Sequence, residues 1–120
     1  MTLPSTYKQM ISTVSAEGEL TMELVDKPMP ELGEDEVLIR VEATPIKPSD
    51  QGVMFGWASM AKATSSGSGK DTKLTAPVSP QGMGVMKARI GQALTVGNEG
   101  AGTVVAAGSG DYAQSLIGKV

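Results

Sequence analysis

The sequence predicts a mainly β fold, an antiparallel barrel or sandwich with short helices. Three observations carry that prediction. Apolar and polar residues alternate with a period of two from Glu19 to Val25 and again from Val37 to Thr44, the pattern of half-buried strands. The links between these runs are short, which suits antiparallel neighbours better than helical crossovers. A further strand follows a run of small residues, Gly97-Asn98-Glu99-Gly100-Ala101-Gly102-Thr103-Val104-Val105-Ala106-Ala107-Gly108. Its glycines permit backbone angles and close approaches that a β-carbon would block, and its valines favour extended, packed backbone.

Taken in order, Tyr7 to Val14 alternates loosely, with Gln9, Ile11 and Thr13 on one face and Lys8, Met10, Ser12 and Val14 on the other. Ala16-Glu17-Gly18-Glu19 reads as a hairpin-like turn in which Gly18 takes positive φ. Glu19 to Val25 turns Leu20, Met22 and Leu24 inward and Glu19, Thr21 and Glu23 outward. Pro28 and Pro30 break the ladder, since proline has no amide hydrogen to donate. In the strand Val37 to Thr44, Val37, Ile39, Val41 and Ala43 share one face. Pro45-Ile46-Lys47-Pro48-Ser49-Asp50 is a polar turn bounded by proline, with Ser49 or Asp50 placed to cap a short helix through Met54. From Trp57 to Val96 the chain reads as a long irregular segment, within which Lys73 to Val78 is either one short strand or an extended arm and Pro80 to Gly84 is another turn. Thr64 to Lys70 is a flexible loop by composition, and Val85 to Ile90 is either a helical turn or a short strand. Tyr112 to Leu116 reads as a short helix capped by Ser109 or Asp111, with Gly118 as its terminator.

Composition narrows the chemistry. The 120 residues suit one domain and include neither cysteine nor histidine. Thiolate nucleophiles, cysteine-ligated zinc and the commonest general base are therefore unavailable. Ten basic against 13 acidic side chains leave a net charge of −3, which offers no footprint for nucleic acid or an anionic membrane. No apolar run is long enough to span a bilayer, so no membrane insertion is expected and the cytoplasm is the expected compartment. Nine acids fall between Glu17 and Glu42 against Lys27 and Arg40, read as a solvated sheet face, with a cation-binding surface as the alternative. From Lys47 to Arg89 there are six basic residues against Asp50 and Asp71, either a scatter of surface charge or the side that a large anionic cofactor would approach.

Two places stand out as candidate sites. In the first, Phe55 and Trp57 flank Gly56 beside the polar turn at Lys47, Ser49 and Asp50. The two aromatics either line a pocket for an apolar or planar ligand or plug one end of the core. In the second, Asn98 and Glu99 sit at the mouth of the glycine-rich strand, which is either a site edge or a well-made turn. Gly67-Ser68-Gly69-Lys70 lacks the spacing of a phosphate loop and has no strand feeding it.

In order along the chain, Pro30 with Asp35-Glu36-Val37-Leu38-Ile39-Arg40-Val41, then Ile46-Lys47-Pro48-Ser49-Asp50, then Gly97-Asn98-Glu99-Gly100-Ala101-Gly102 with Val104, Val105 and Gly108, resemble the N-terminal, GroES-like catalytic domain of the medium-chain dehydrogenase/reductase superfamily. Gly118-Lys119-Val120 resembles the start of the next strand of that family, and Trp57 to Val96 looks like an insertion. The resemblance implies a partly open GroES-like β-barrel. Zinc-dependent members carry cysteine at the position of Lys47 and histidine at that of Asn98, so it also implies the zinc-independent branch. That branch includes NADPH:quinone reductases and 2-enoyl thioester reductases. It usually has asparagine where Lys47 stands here. Some enoyl reductases place a tyrosine acid near the positions of Phe55 and Trp57, neither of which can donate a proton in that way.

On this reading residues 1–120 are the N-terminal catalytic-domain part of an NADPH-dependent oxidoreductase, with the Rossmann domain outside the sequence. The parent would take NADP(H) and no zinc, and would reduce a quinone, an enone or an enoyl thioester. The 120 residues alone are expected to bind no cofactor and to transfer no hydride. Lys47, Ser49, Asp50, Phe55, Trp57, Asn98 and Glu99 form the expected cleft and substrate wall. Lys47 is also the candidate cofactor contact, placed to offset phosphate charge or to stabilise a developing oxyanion. The alternative is a non-catalytic β-barrel used for protein interaction or oligomerisation, and a homo-oligomer is compatible with either reading.

Overall fold

The computed structural model describes residues 2–120 and has a mixed α/β fold with two antiparallel sheets. The elements are β1 (Thr6–Val14), β2 (Glu19–Pro28), β3 (Val37–Ala43), α1 (Pro48–Phe55), β4 (Thr64–Ser66), β5 (Lys73–Pro77), α2 (Pro80–Val85), β6 (Leu94–Thr95), β7 (Ala101–Ala107) and α3 (Asp111–Ser115). Short 3₁₀ turns lie at Met60–Lys62, Gly69–Asp71 and Lys87–Arg89. The chain divides into two compact units: Met1–Pro28 with Ile46–Val96, and Met29–Pro45 with Gly97–Val120.

The first unit is built on a five-stranded sheet in the order β4-β5-β2-β1-β6. The β1–β2 hairpin pairs Val14 with Leu20, Ser12 with Met22 and Met10 with Leu24, so these six side chains share a face. Gly18 turns the hairpin at φ +87, as the sequence predicts. A side chain on Gly18 would press on the Val78 carbonyl at 3.3 Å, so the turn is also a site of close approach. Val14, Leu20, Val78 and Met86 form the core of this unit, with Ala58, Met83 and Ile90 packed against it. Val14 and Leu20 are completely buried. β2 runs three residues past the predicted end and stops at Pro28, where the ladder loses its donor.

The segment from Trp57 to Val96 is not irregular. It supplies β4, β5 and β6 to the sheet, with β5 pairing along Glu19–Glu23 of β2. Thr64 to Ser66, a flexible loop by composition, is held as an edge strand, and Thr64 and Thr75 hydrogen-bond across it at 3.0 Å. The ambiguous run from Val85 ends α2 and continues as a 3₁₀ turn, while Ile90 makes a single parallel bridge to Val14. Helix α2 starts on Ser79, whose Oγ accepts the Gly82 amide at 3.1 Å, and has Pro80 in its first turn.

The second unit pairs β3 with β7, with register shifts at Leu38/Ile39 and at Val41/Ala43. Its buried side chains are Val104 and Ala113, the latter from α3. The apolar face of β3 is largely in solvent, with Ile39 48% and Val41 57% exposed. Glycine sets how closely its segments approach. A β-carbon on Gly102 would fall on the Arg40 carbonyl, and one on Gly108 would overlap the carbonyls of Gly33 and Glu34. Helix α3 is preceded by Gly110 and has no side-chain cap, which replaces the expected capping by Ser109 or Asp111. Gly118 takes φ +85 and donates its amide to the Val104 carbonyl at 2.9 Å.

Candidate functional site

The predicted residues fall into two groups, one in each unit. Lys47, Ser49, Asp50, Phe55 and Trp57 lie on and around α1 in the first; Asn98 and Glu99 lie before β7 in the second.

Helix α1 starts two or three residues earlier than capping by Ser49 or Asp50 would place it. Lys47 is its N-cap, in the extended conformation that Pro48 imposes, and Ser49 and Asp50 are already helical. Asp50 is 5% exposed, and its Oδ2 accepts the Lys47 amide at 2.9 Å. This is half of a reciprocal cap: the carboxylate reaches back to the N-cap amide, while a lysine side chain has no acceptor with which to return the bond. A carboxylate in the first turn also suits the positive end of the helix. Asp50 is therefore a holder of the loop rather than a group presented to a ligand. Ser49 is exposed, and Lys47 is half-buried.

The other end of α1 is fastened by residues that sequence reasoning missed. The helix has no basic residue in its last turn. Arg89 supplies one from the 3₁₀ turn: its Nη1 donates to the Val53 carbonyl at 3.0 Å and its Nη2 to the Ser12 Oγ at 3.0 Å. Ser12, completely buried on the sheet, donates its hydroxyl to the Met54 carbonyl at 2.9 Å. Burial holds the Arg89 guanidinium below its ordinary pKa, and arginine stays charged at neutral pH regardless. Its Nε is buried without a partner. The only advance signal was a serine on the apolar face of β1, since a buried hydroxyl needs partners.

Phe55 is half-buried and Trp57 is 56% exposed. Neither belongs to the cluster around Val14 and Leu20, so the aromatic pair does not plug that core. Trp57 lies against α2 at Gly82, where an added β-carbon would meet the Trp57 Cβ and carbonyl at 3.1 Å.

In the second unit, Gly97 takes φ +95 and turns the chain toward β7. Asn98 and Glu99 are exposed. Ala43, Thr44 and Pro45, leaving β3, and Glu99, Gly100 and Ala101, entering β7, line an open groove of about 400 Å³. Its wall is mostly small and apolar, with one carboxylate. A second open groove, about 500 Å³, lies in the first unit beside Ser15, Glu17, Glu19, Thr64 and Thr75, and contains none of the predicted residues.

The segment after β7 tests whether the chain itself holds a dinucleotide. Gly108-Ser109-Gly110-Asp111-Tyr112-Ala113 follows a strand and opens a helix, which superficially suits a pyrophosphate. The geometry does not fit one. The amides of Gly108 and Gly110 donate to the carbonyls of Glu36 and Glu34, at 2.8 and 2.9 Å. The Asp35 carboxylate lies where a Gly110 side chain would be, adding negative charge at the turn. These glycines serve backbone packing.

Scanned against family models and compared with curated proteins, the chain matches none. Among the described residues no helix is long and apolar enough to cross a membrane.

Proposed function

We infer that this chain is the substrate-side, GroES-like domain of a zinc-independent, NADPH-dependent oxidoreductase acting on quinones or activated C=C bonds. What carries the reading is the ordered set of motifs at Pro30–Val41, Ile46–Asp50 and Gly97–Gly108. The built character of two of them supports it. The Lys47–Asp50 turn is closed by a buried carboxylate, and the Gly97–Gly102 run ends in a backbone approach that only glycine allows.

In this reading Lys47, Ser49, Phe55 and Trp57 of the first unit border a substrate, Asp50 holds the turn that presents Lys47, and Asn98 and Glu99 are the corresponding candidates of the second unit, considered by itself. The dinucleotide belongs on a Rossmann segment outside these residues, and the region from Trp57 to Val96 is an insertion relative to the family. The chain's own contribution is positioning and hydrogen bonding: aromatic surface for a flat acceptor, and a cationic side chain at Lys47 for a developing oxyanion.

The test is NADPH oxidation by the intact parent protein, assayed with a quinone and with a 2-enoyl thioester. Turnover of either class is the expected result; turnover of neither by folded protein overturns the reading. The rival, a non-catalytic interaction or oligomerisation domain, draws on the exposed Ile39 and Val41 of β3. Light scattering separates the two: concentration-dependent self-association abolished by Val41→Lys favours the rival.

A further inference from the structure

We propose that the turn Met86–Arg89 is a clamp that fixes the Val53–Trp57 segment, with Arg89 as a positioning residue for Trp57. Three independent contacts converge on it. The Arg89 guanidinium satisfies the Val53 carbonyl directly and the Met54 carbonyl by way of Ser12, so the last turn of α1 is closed by a cation from a distant part of the chain. The Met86 sulfur, on the same turn, accepts the Trp57 amide at 3.3 Å. Arg89 and Met86 are themselves joined, the Arg89 amide donating to the Met86 carbonyl at 3.0 Å. Between the two grips lies Gly56 at φ +50, where a β-carbon would overlap the Met86 sulfur and meet Arg89 Nη1 at 3.4 Å. Only glycine passes through the clamp.

The consequence is an aromatic residue whose backbone is held on two sides while the residue stays 56% exposed. A backbone set this way is preorganised: its ordering cost is met in folding rather than in binding. Arg89 suits the role where lysine would not. Its planar fork reaches a carbonyl and a hydroxyl at once, whereas an ammonium is a single point of attachment.

The clamp stands on geometry alone; its bearing on substrate rests on the reading of Trp57 as part of the substrate wall. Trp57 is the only tryptophan, so fluorescence excited beyond the tyrosine band reports this position without any ligand. In the full chain, Arg89→Met should lower the Trp57 anisotropy and change its acrylamide quenching, with the β-sheet signal in circular dichroism retained. Arg89→Lys should give the same changes in smaller measure. Lys87→Met, which removes a cation from the same turn, should leave both at the wild-type value. If Arg89→Met fails to fold, Arg89→Lys and Met86→Leu are read instead, and each should lower the anisotropy. Wild-type anisotropy and quenching in folded Arg89 variants overturn the proposal, as does an equal change in Lys87→Met. A clamp confirmed in this way, in a protein whose Trp57 does not respond to added duroquinone, retains the clamp and rejects the substrate reading.

Discussion

The two units solve the same problem, a small antiparallel sheet, by different means. The first buries side chains: Val14 and Leu20 sit opposite each other in the β1–β2 ladder, are completely covered, and have Val78 and Met86 packed on them. The second has few side chains to bury and instead brings backbone onto backbone. Gly102 lies against the Arg40 carbonyl and Gly108 against Gly33 and Glu34, while Ile39 and Val41 remain in solvent. One unit is held by what its side chains add, the other by what its glycines leave out.

The sharpest way to break that contrast is to remove volume from the first unit. Leu20→Ala should cost about 2–5 kcal/mol, because a completely buried side chain is lost and its surroundings only partly collapse. Urea unfolding followed by circular dichroism measures it, and a loss below about 1 kcal/mol would mean that the hairpin core is not what holds this unit. The complementary change adds volume to the second unit. Gly108→Ala should cost about 1–3 kcal/mol through displacement of the Gly33–Glu34 backbone. Gly52→Ala, in α1 with open space around it, is the control, and should be neutral or stabilising by about 0.5–1 kcal/mol.

The smallest effect concerns charge in the second unit. Glu42 Oε1 accepts from Arg40 Nη2 at 2.9 Å and from Thr103 Oγ1 at 3.0 Å, linking β3 to β7. The Arg40 hydrogen bond first, then the Thr103 hydroxyl, holds the Glu42 carboxyl below the ordinary glutamate value of 4.5. A carboxyl with a lowered folded pKa contributes stability above its unfolded value and loses it as pH falls through the folded one. Acidification below about 4.5 should therefore weaken the wild type slightly more than Glu42→Gln. The pair is exposed, so the difference should shrink with added salt. Equal pH profiles for the two proteins would show that the bridge does not contribute.

How much of this was legible in the sequence follows the same division. The β1–β2 hairpin could be read because alternation, a polar turn and Gly18 all agree at Ala16–Glu19. β3 and β7 were visible as strands, but the alternation in β3 did not show that its apolar face lies in solvent. Period-two patterning reports which side chains share a face, not whether anything covers it. The edge strand at Thr64–Ser66 was hidden in serine and glycine, since its pairing comes from β5 and not from local propensity. At the candidate site, Asp50 was legible as a residue of the turn but not as a buried one. Arg89 was not legible at all: the bond from Arg89 to Val53 spans 36 positions, and nothing local marks it.

The central proposal is that the α1 residues of the first unit and, taken separately, the residues before β7 in the second each border a substrate of an oxidoreductase. Amide chemical shifts of the labelled protein, titrated with duroquinone, test it most directly. The account predicts perturbations at Lys47–Trp57 and at Asn98–Ala101, weakened at the first by Trp57→Ala and at the second by Glu99→Gln. No saturable shift, or shifts confined to the groove beside Ser15, Thr64 and Thr75, would contradict it.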